Sequence, residues 1–239
     1  MRWPFRIIAF WQDRAKRPDY DNNREPTVAE NLRKPIRLAV LLTGKGTTLE
    51  NLFQKRDAAQ LSADVVVVVS SRADAYGLER ARKRNIPALT IERKKFVLPE
   101  DFSAAIFEQI EPYKPDLVVL AGFMSLLKIP NAYAHRVINI HPALLPSFGG
   151  KGFYGDKVHE SVLKTGCKVT GCTVHFVDNE YDQGPIVAQK AVPVLADDTV
   201  ETLAARVQAA EREVYPEAIQ LFAEGRLKID GRIVNVLPK

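Results

Sequence analysis

The chain of 239 residues is short of several things, and each shortage closes off a class of protein. It has two cysteines, Cys167 and Cys172, with no partner pair and no local His–Cys cluster, so a zinc site is not expected. On one extended segment their odd spacing would point them to opposite faces. That argues against a disulfide and for a reduced, cytoplasmic protein. Its longest apolar runs are too short to span a bilayer. There is no Gly-x-Ser-x-Gly elbow, which weighs against an α/β-hydrolase. The full Gly-x-Gly-x-x-Gly of a dinucleotide fold and the Walker A spacing are also missing. No two of the four histidines are spaced as metal ligands on one element, so no catalytic metal is expected.

Net charge is scarce in the body. The net charge is +5, and residues 1–37 carry nine Lys or Arg against five Asp or Glu, or +4 of it. The remainder is nearly neutral and needs no basic surface for nucleic acid. Residues 1–35 read as an N-terminal extension that packs on the domain or stays disordered. Their apolar stretch, Ile7–Trp11, is too short for a secretory signal and has no small-residue cleavage site after it.

From Ile36 onward the pattern is regular. IRLAVLL is a buried strand followed at once by TGKGTT and the start of a helix. DVVVVVS (Asp64–Ser70), Pro87–Ile91, Asp116–Ala121 and Arg136–Ile140 are further strands. Helices are expected over Leu78–Arg84 and Glu100–Ile110. Apolar β-branched runs of this kind suit parallel strands buried on both faces. The alternation predicts a doubly wound, mostly parallel α/β sheet of Rossmann type, with its ligand sites outside the carboxyl ends of the strands. In the second half, Thr170–Val177 alternates and Pro185–Val194 is β-rich, which predicts antiparallel additions. Asp198–Phe222 reads as a long helix capped by Thr199 and bent or broken at Pro216. Gly225–Val236 reads as a hairpin turned at Asp230–Gly231.

Three groups of residues could carry chemistry. The turn Thr43–Thr48 puts glycines at a helix N-terminus, where a phosphate fits; it could equally be a tight connection. Asn139 and His141 are two apart on a strand end and so share a face. An amide there can donate to a developing oxyanion and an imidazole can supply a proton, or both can simply make turn hydrogen bonds. Asp182, in EYDQGP, is a loop carboxylate that would raise the pKa of a neighbouring imidazole, or an ordinary turn aspartate. His175, on an alternating strand, reads as a buried structural histidine. His135 and His159 read as surface or helix residues.

NIHPALLP followed by VTGCTVHFVDNEYDQGPIVAQ, together with ADAYGLERAR, DLVVLAGFM and ARVQAAEREVYP, resembles the folate-dependent phosphoribosylglycinamide formyltransferases. The likeness runs from about Ile36 to Leu227, and residues 36–239 are then one formyltransferase domain. It implies Asn139 and His141 as catalytic residues and Asp182 as the residue that tunes the histidine. It implies Gly46, Thr47 and Thr48 as the phosphate-binding turn, and Gln208 and Glu211 as contacts to the glycinamide substrate. Met124, Ser125, Leu126 and Leu127, with Asn139 and the Val177–Asp182 loop, would line the folate pocket. The implied ligands are 10-formyltetrahydrofolate as co-substrate and 5-phosphoribosylglycinamide as acceptor, with no metal, nucleic acid or membrane, in a monomer or homodimer. The sequence departs from the family at Thr48, where Asn is usual, at Ser125, where Arg is common, and at Pro99, where a further folate-binding Arg falls. A folate hydrolase with the same three residues is expected to carry a regulatory domain, for which 35 residues are too few. A tRNA formyltransferase is expected to extend further at the C-terminus. A binding protein without turnover has no reason to hold all three residues.

Overall fold

The computed structural model describes residues 35–239; the extension 1–34 lies outside the described residues. Among the described residues nine strands, numbered in chain order, form one sheet in the order β3-β2-β1-β4-β5-β6-β7-β9-β8. The strands β1 (Ile36–Leu42), β2 (Ala63–Ser70), β3 (Ala88–Thr90), β4 (Leu117–Leu120) and β5 (Val137–His141) run parallel to one another. β6 (Val169–Phe176) runs antiparallel to β5, and β7 (Ile186–Pro193) antiparallel to β6. β8 (Leu227–Asp230) and β9 (Ile233–Val236) close the sheet as a hairpin. The expected fold class holds, including the antiparallel second half. The hairpin loop is Gly231–Arg232, one residue later than expected, and Gly231 takes a φ of 56°.

The apolar runs are strands because both faces of the sheet are covered. Leu38, Val40 and Leu42 face one core with Leu49, Leu52, Leu78, Val207 and Ile219; Ala39 and Leu41 face a second core with Phe102, Ile106 and Ile110. Helices α1 (Thr47–Asp57), α2 (Tyr76–Lys83), α4 (Asp156–Thr165) and α5 (Val200–Ala223) supply the first, and α3 (Pro99–Ile110) the second. Helix α4 is absent from the sequence-based expectations. Its signal is Val158 and Val162, four apart and buried, between Gly155 and Gly166.

Helix α5 starts where expected, with the Thr199 side chain accepting from the Thr202 N–H. It does not stop at Pro216. A proline removes the N–H that would serve the carbonyl four residues back, here that of Arg212. Asn51 of α1 supplies the missing donor, its Nδ2 lying 2.9 Å from Arg212 O. The helix therefore continues through Pro216 and is cross-linked to α1 at that point. No helix among the described residues is long and apolar enough to cross a membrane.

Candidate active site

The chain leaves β1 to form β2 and β3 on one side, then returns to place β4 and β5 on the other. Loops at the carboxyl ends of these strands diverge at such a reversal and leave a crevice. Thr43, just past β1, ties the loops together: its backbone N–H donates to Gly122 O at 3.1 Å, and its hydroxyl accepts the Met124 N–H at 3.1 Å.

A pocket of about 150 Å³ opens there. Met124, Ser125, Leu126 and Leu127 line it, as do Asn139, His141, Val177 and Asp182. Two walls are joined through Asn179, whose Oδ1 accepts the Ile129 N–H at 2.7 Å and whose carbonyl accepts Lys128 Nζ at 2.9 Å.

Asn139 and His141 share a face of β5, opposite His175 and Thr173 of β6. The segment after His141 is held by Thr173, whose hydroxyl donates to Ala143 O and accepts the Leu145 N–H. Asp182 reaches the same cluster from the loop before β7. Its Oδ2 is 3.5 Å from His141 Nδ1, its Oδ1 is 3.6 Å from His175 Nε2, and Gly150 N–H donates to it at 2.9 Å. Asp182 takes a φ of 56°, a region aspartate tolerates better than most residues. The glycine two residues on is required: a Cβ on Gly184 would lie 1.8 Å from the Phe176 carbonyl oxygen. That explains the Asp-Gln-Gly-Pro spacing, since Pro185 O accepts the Phe176 N–H on the same strand.

His141 is 4% exposed, and its Nε2 lies 2.8 Å from Phe148 O. Burial lowers its pKa, and the Asp182 carboxylate and Phe148 carbonyl oppose that without overcoming it. Asp182 thus acts in the expected direction, but desolvation outweighs it. Burial also works against the charge of Asp182, yet the two imidazoles and the Gly150 N–H hold its carboxyl below the usual range. His175 is buried as expected, with its Nε2 3.2 Å from the Asn139 amide nitrogen and 3.6 Å from Asp182. Cross-strand register brings it there, and no local sequence signal carries register. His159 is on a helix as expected, though buried rather than at the surface, and His135 is half-buried in a turn.

The second constellation lies at the N-terminus of α1. Gly46 caps it with φ 69° and no side-chain cap, so the first N–H groups have no helical carbonyl to bond. Only glycine fits: a Cβ on Gly46 would lie 2.7 Å from Gly77 Cα of α2. Thr47, Thr48 and Asn51 of α1 meet Gln208, Glu211 and Arg212 of α5 across a small groove. The Asn51–Arg212 bond at Pro216 holds the two helices at this spacing. Burial raises the Glu211 carboxyl to about 7, with Arg212 opposing. Asn139, His141, Asp182 and Met124–Leu127 fall in the first place and Gly46, Thr47, Thr48, Gln208 and Glu211 in the second; Pro99, at the start of α3, lies in neither. Asn51, Arg212 and His175 also lie in these two places and were not singled out as site residues.

An amide donor, an imidazole and a carboxylate around one pocket, beside an uncapped helix N-terminus, suit an enzyme that moves or hydrolyses an acyl-type group on an anionic substrate. Residues 36–219 match the formyl transferase family. The chain is 39% identical over 196 residues to the phosphoribosylglycinamide formyltransferase of Escherichia coli (strain K12), covering 81% of this chain and 90% of that protein. It is 43% identical over 204 residues to the trifunctional purine biosynthetic protein adenosine-3 of Bos taurus, 84% of this chain but only 20% of that protein's length. The crystal structure of glycinamide ribonucleotide transformylase 1 from Symbiobacterium toebii superposes with a TM-score of 0.80 at 44% identity, covering 91% of this chain and 100% of that one. The chain belongs to the formyl transferase family, on its phosphoribosylglycinamide formyltransferase branch.

Proposed function

We propose that the protein transfers the formyl group of 10-formyltetrahydrofolate to the amine of 5-phosphoribosylglycinamide, a step of purine synthesis, by direct transfer. The observation that supports this most is the convergence of Asn139, His141 and Asp182 on the pocket lined by Met124–Leu127. The folate's formyl group enters that pocket. The acceptor's phosphate sits on the free N–H groups of α1 at Gly46, Thr47 and Thr48, with Gln208 and Glu211 holding the glycinamide end.

The amine nitrogen attacks the formyl carbon and an oxyanion develops. Asn139 donates an N–H to it, and the His141 imidazolium stabilises it; burial disfavours that charged ring in the free site, and the developing oxyanion favours it. In the described conformation both His141 nitrogens face acceptors, Phe148 O and Asp182, an arrangement that suits the doubly protonated ring. To donate to the oxyanion, Nε2 exchanges Phe148 O for the substrate oxygen; Phe148, at φ 53°, is followed by two glycines that permit the shift. Collapse breaks the bond from the formyl carbon to the folate nitrogen. That nitrogen takes up a proton, and the amine gives one up. No covalent enzyme intermediate forms.

A paired assay tests this reading. With both substrates, purified protein produces formylglycinamide ribonucleotide and tetrahydrofolate in equal amounts. Formate release from the folate alone, at a rate unaffected by the acceptor, would instead make the protein a hydrolase.

A further inference from the structure

His175 is 1% exposed and stands opposite Asn139 in the β5–β6 ladder. Its Nδ1 lies 2.8 Å from Phe176 O, which can only accept, so Nδ1 carries a hydrogen. In the neutral ring Nε2 is then bare. The Asp182 oxygen at 3.6 Å from Nε2 is too far for a hydrogen bond, whereas Asn139 Nδ2 at 3.2 Å is within range. The amide nitrogen of Asn139 therefore donates one of its two hydrogens to His175. This decides which way the amide faces. Turned over, Asn139 would set its own oxygen against the bare Nε2, lone pair against lone pair, and lose the bond.

We propose that His175 is a positioning residue for formyl transfer: it accepts from Asn139 Nδ2 and so keeps the amide's second N–H, rather than its oxygen, presented to the pocket where the oxyanion develops. The inference rests on the role given to Asn139 above. Phe176 O, by fixing the imidazole tautomer, is the outer end of the same chain of bonds. A carbonyl oxygen aimed at an oxyanion would repel it, so the cost of losing His175 falls on the transition state and leaves the bound substrates largely untouched.

The test is a double-mutant cycle read as kcat and KM for both substrates. Asn at 175 reaches only the former Nδ1 position, whereas Gln reaches the former Nε2 position and can accept from Asn139. His175→Asn is expected to lower kcat by about 10- to 100-fold, less than loss of an oxyanion donor outright, with each KM within about threefold. His175→Gln is expected to recover most of that loss. In an Asn139→Ala background, His175→Asn is expected to cost nothing further. Multiplicative losses in the double variant would make His175 merely structural and overturn the inference, leaving the role of Asn139 intact. A normal kcat for Asn139→Ala alone would overturn both. If His175→Asn gives no folded protein by circular dichroism, His175→Phe, which keeps a ring and removes the acceptor, takes its place under the same criteria.

Discussion

At the end of β5 the polar side chains already have hydrogen-bond partners within the protein; at the start of α1 they do not. Asn139 is held by His175, His141 by Phe148 O, and Asp182 by the Gly150 N–H. Across the acceptor groove, the only side-chain hydrogen bond among the described residues is that of Asn51 to Arg212 O, and it serves the helix rather than a ligand. Thr47, Thr48, Gln208 and Glu211 face the groove around an uncapped helix end. Transition-state stabilisation needs donors whose orientation is settled before the charge develops, because reorganising them would add to the barrier. Binding an anion needs donors left unsatisfied, so that the ligand supplies the missing partners. The difference assigns preorganisation to one region and reception to the other.

The largest expected effect strikes the bonded region. His141→Ala should lower kcat by about 10² to 10⁴, with KM for the acceptor changed little. The side chain is buried at a strand end, so a thermal melt must accompany the rate to show that the fold survives. A near-normal kcat would remove the imidazole from the chemistry, and the comparison would then rest on Asn139 alone.

Glu211→Gln probes the receptive region and should behave differently. Losing a charged hydrogen bond to the substrate should raise KM for the acceptor by about 10- to 100-fold, with a smaller change in kcat. The same substitution should stabilise the protein. The fold raises this carboxyl from 4.5 to about 7, so folding favours its protonated form. That contribution is complete below about pH 4.5 and is lost as pH rises through about 7. The variant should therefore melt above the parent at pH 8, and the gap should close as pH falls toward 4.5. Equal melting temperatures across that range would mean that Glu211 is better solvated than its place in the groove indicates.

The two regions were unequally legible in the sequence. The fold was open to reading because IRLAVLL, DVVVVVS and DLVVLA are apolar runs that only doubly covered strands accommodate, and because Thr199 is a cap with its partner three residues on. Asn139 and His141 were readable as a pair, since two residues on one strand share a face. The approach of Asp182 was not, because forty residues separate it from His141 and only the sheet closes that distance. His175 was hidden for a related reason: its partner is set by antiparallel register. Pro216 misled in the opposite direction. The rule about helix interiors predicted a bend or a break; the helix does not break, because a side chain from another helix supplied a donor for the carbonyl the proline leaves unserved.

The smallest expected effect concerns residues 1–35, which hold most of the chain's net positive charge. The sheet does not depend on them for its first strand: β1 begins at Ile36, whose N–H already donates to Ser62 O and whose side chain is fully buried. Every residue assigned to either region lies further along the chain. Removing residues 1–35 should therefore leave kcat within about twofold and the melting temperature nearly unchanged. The acceptor carries a phosphate and the folate carries carboxylates, so a cationic extension can still speed their encounter. If it does, kcat/KM of the shortened chain should fall at low ionic strength, with the difference from the full chain fading as salt is raised toward 0.15 M. A fall in kcat itself that salt does not relieve would place the extension within one of the two regions, and the division between them would have to be redrawn.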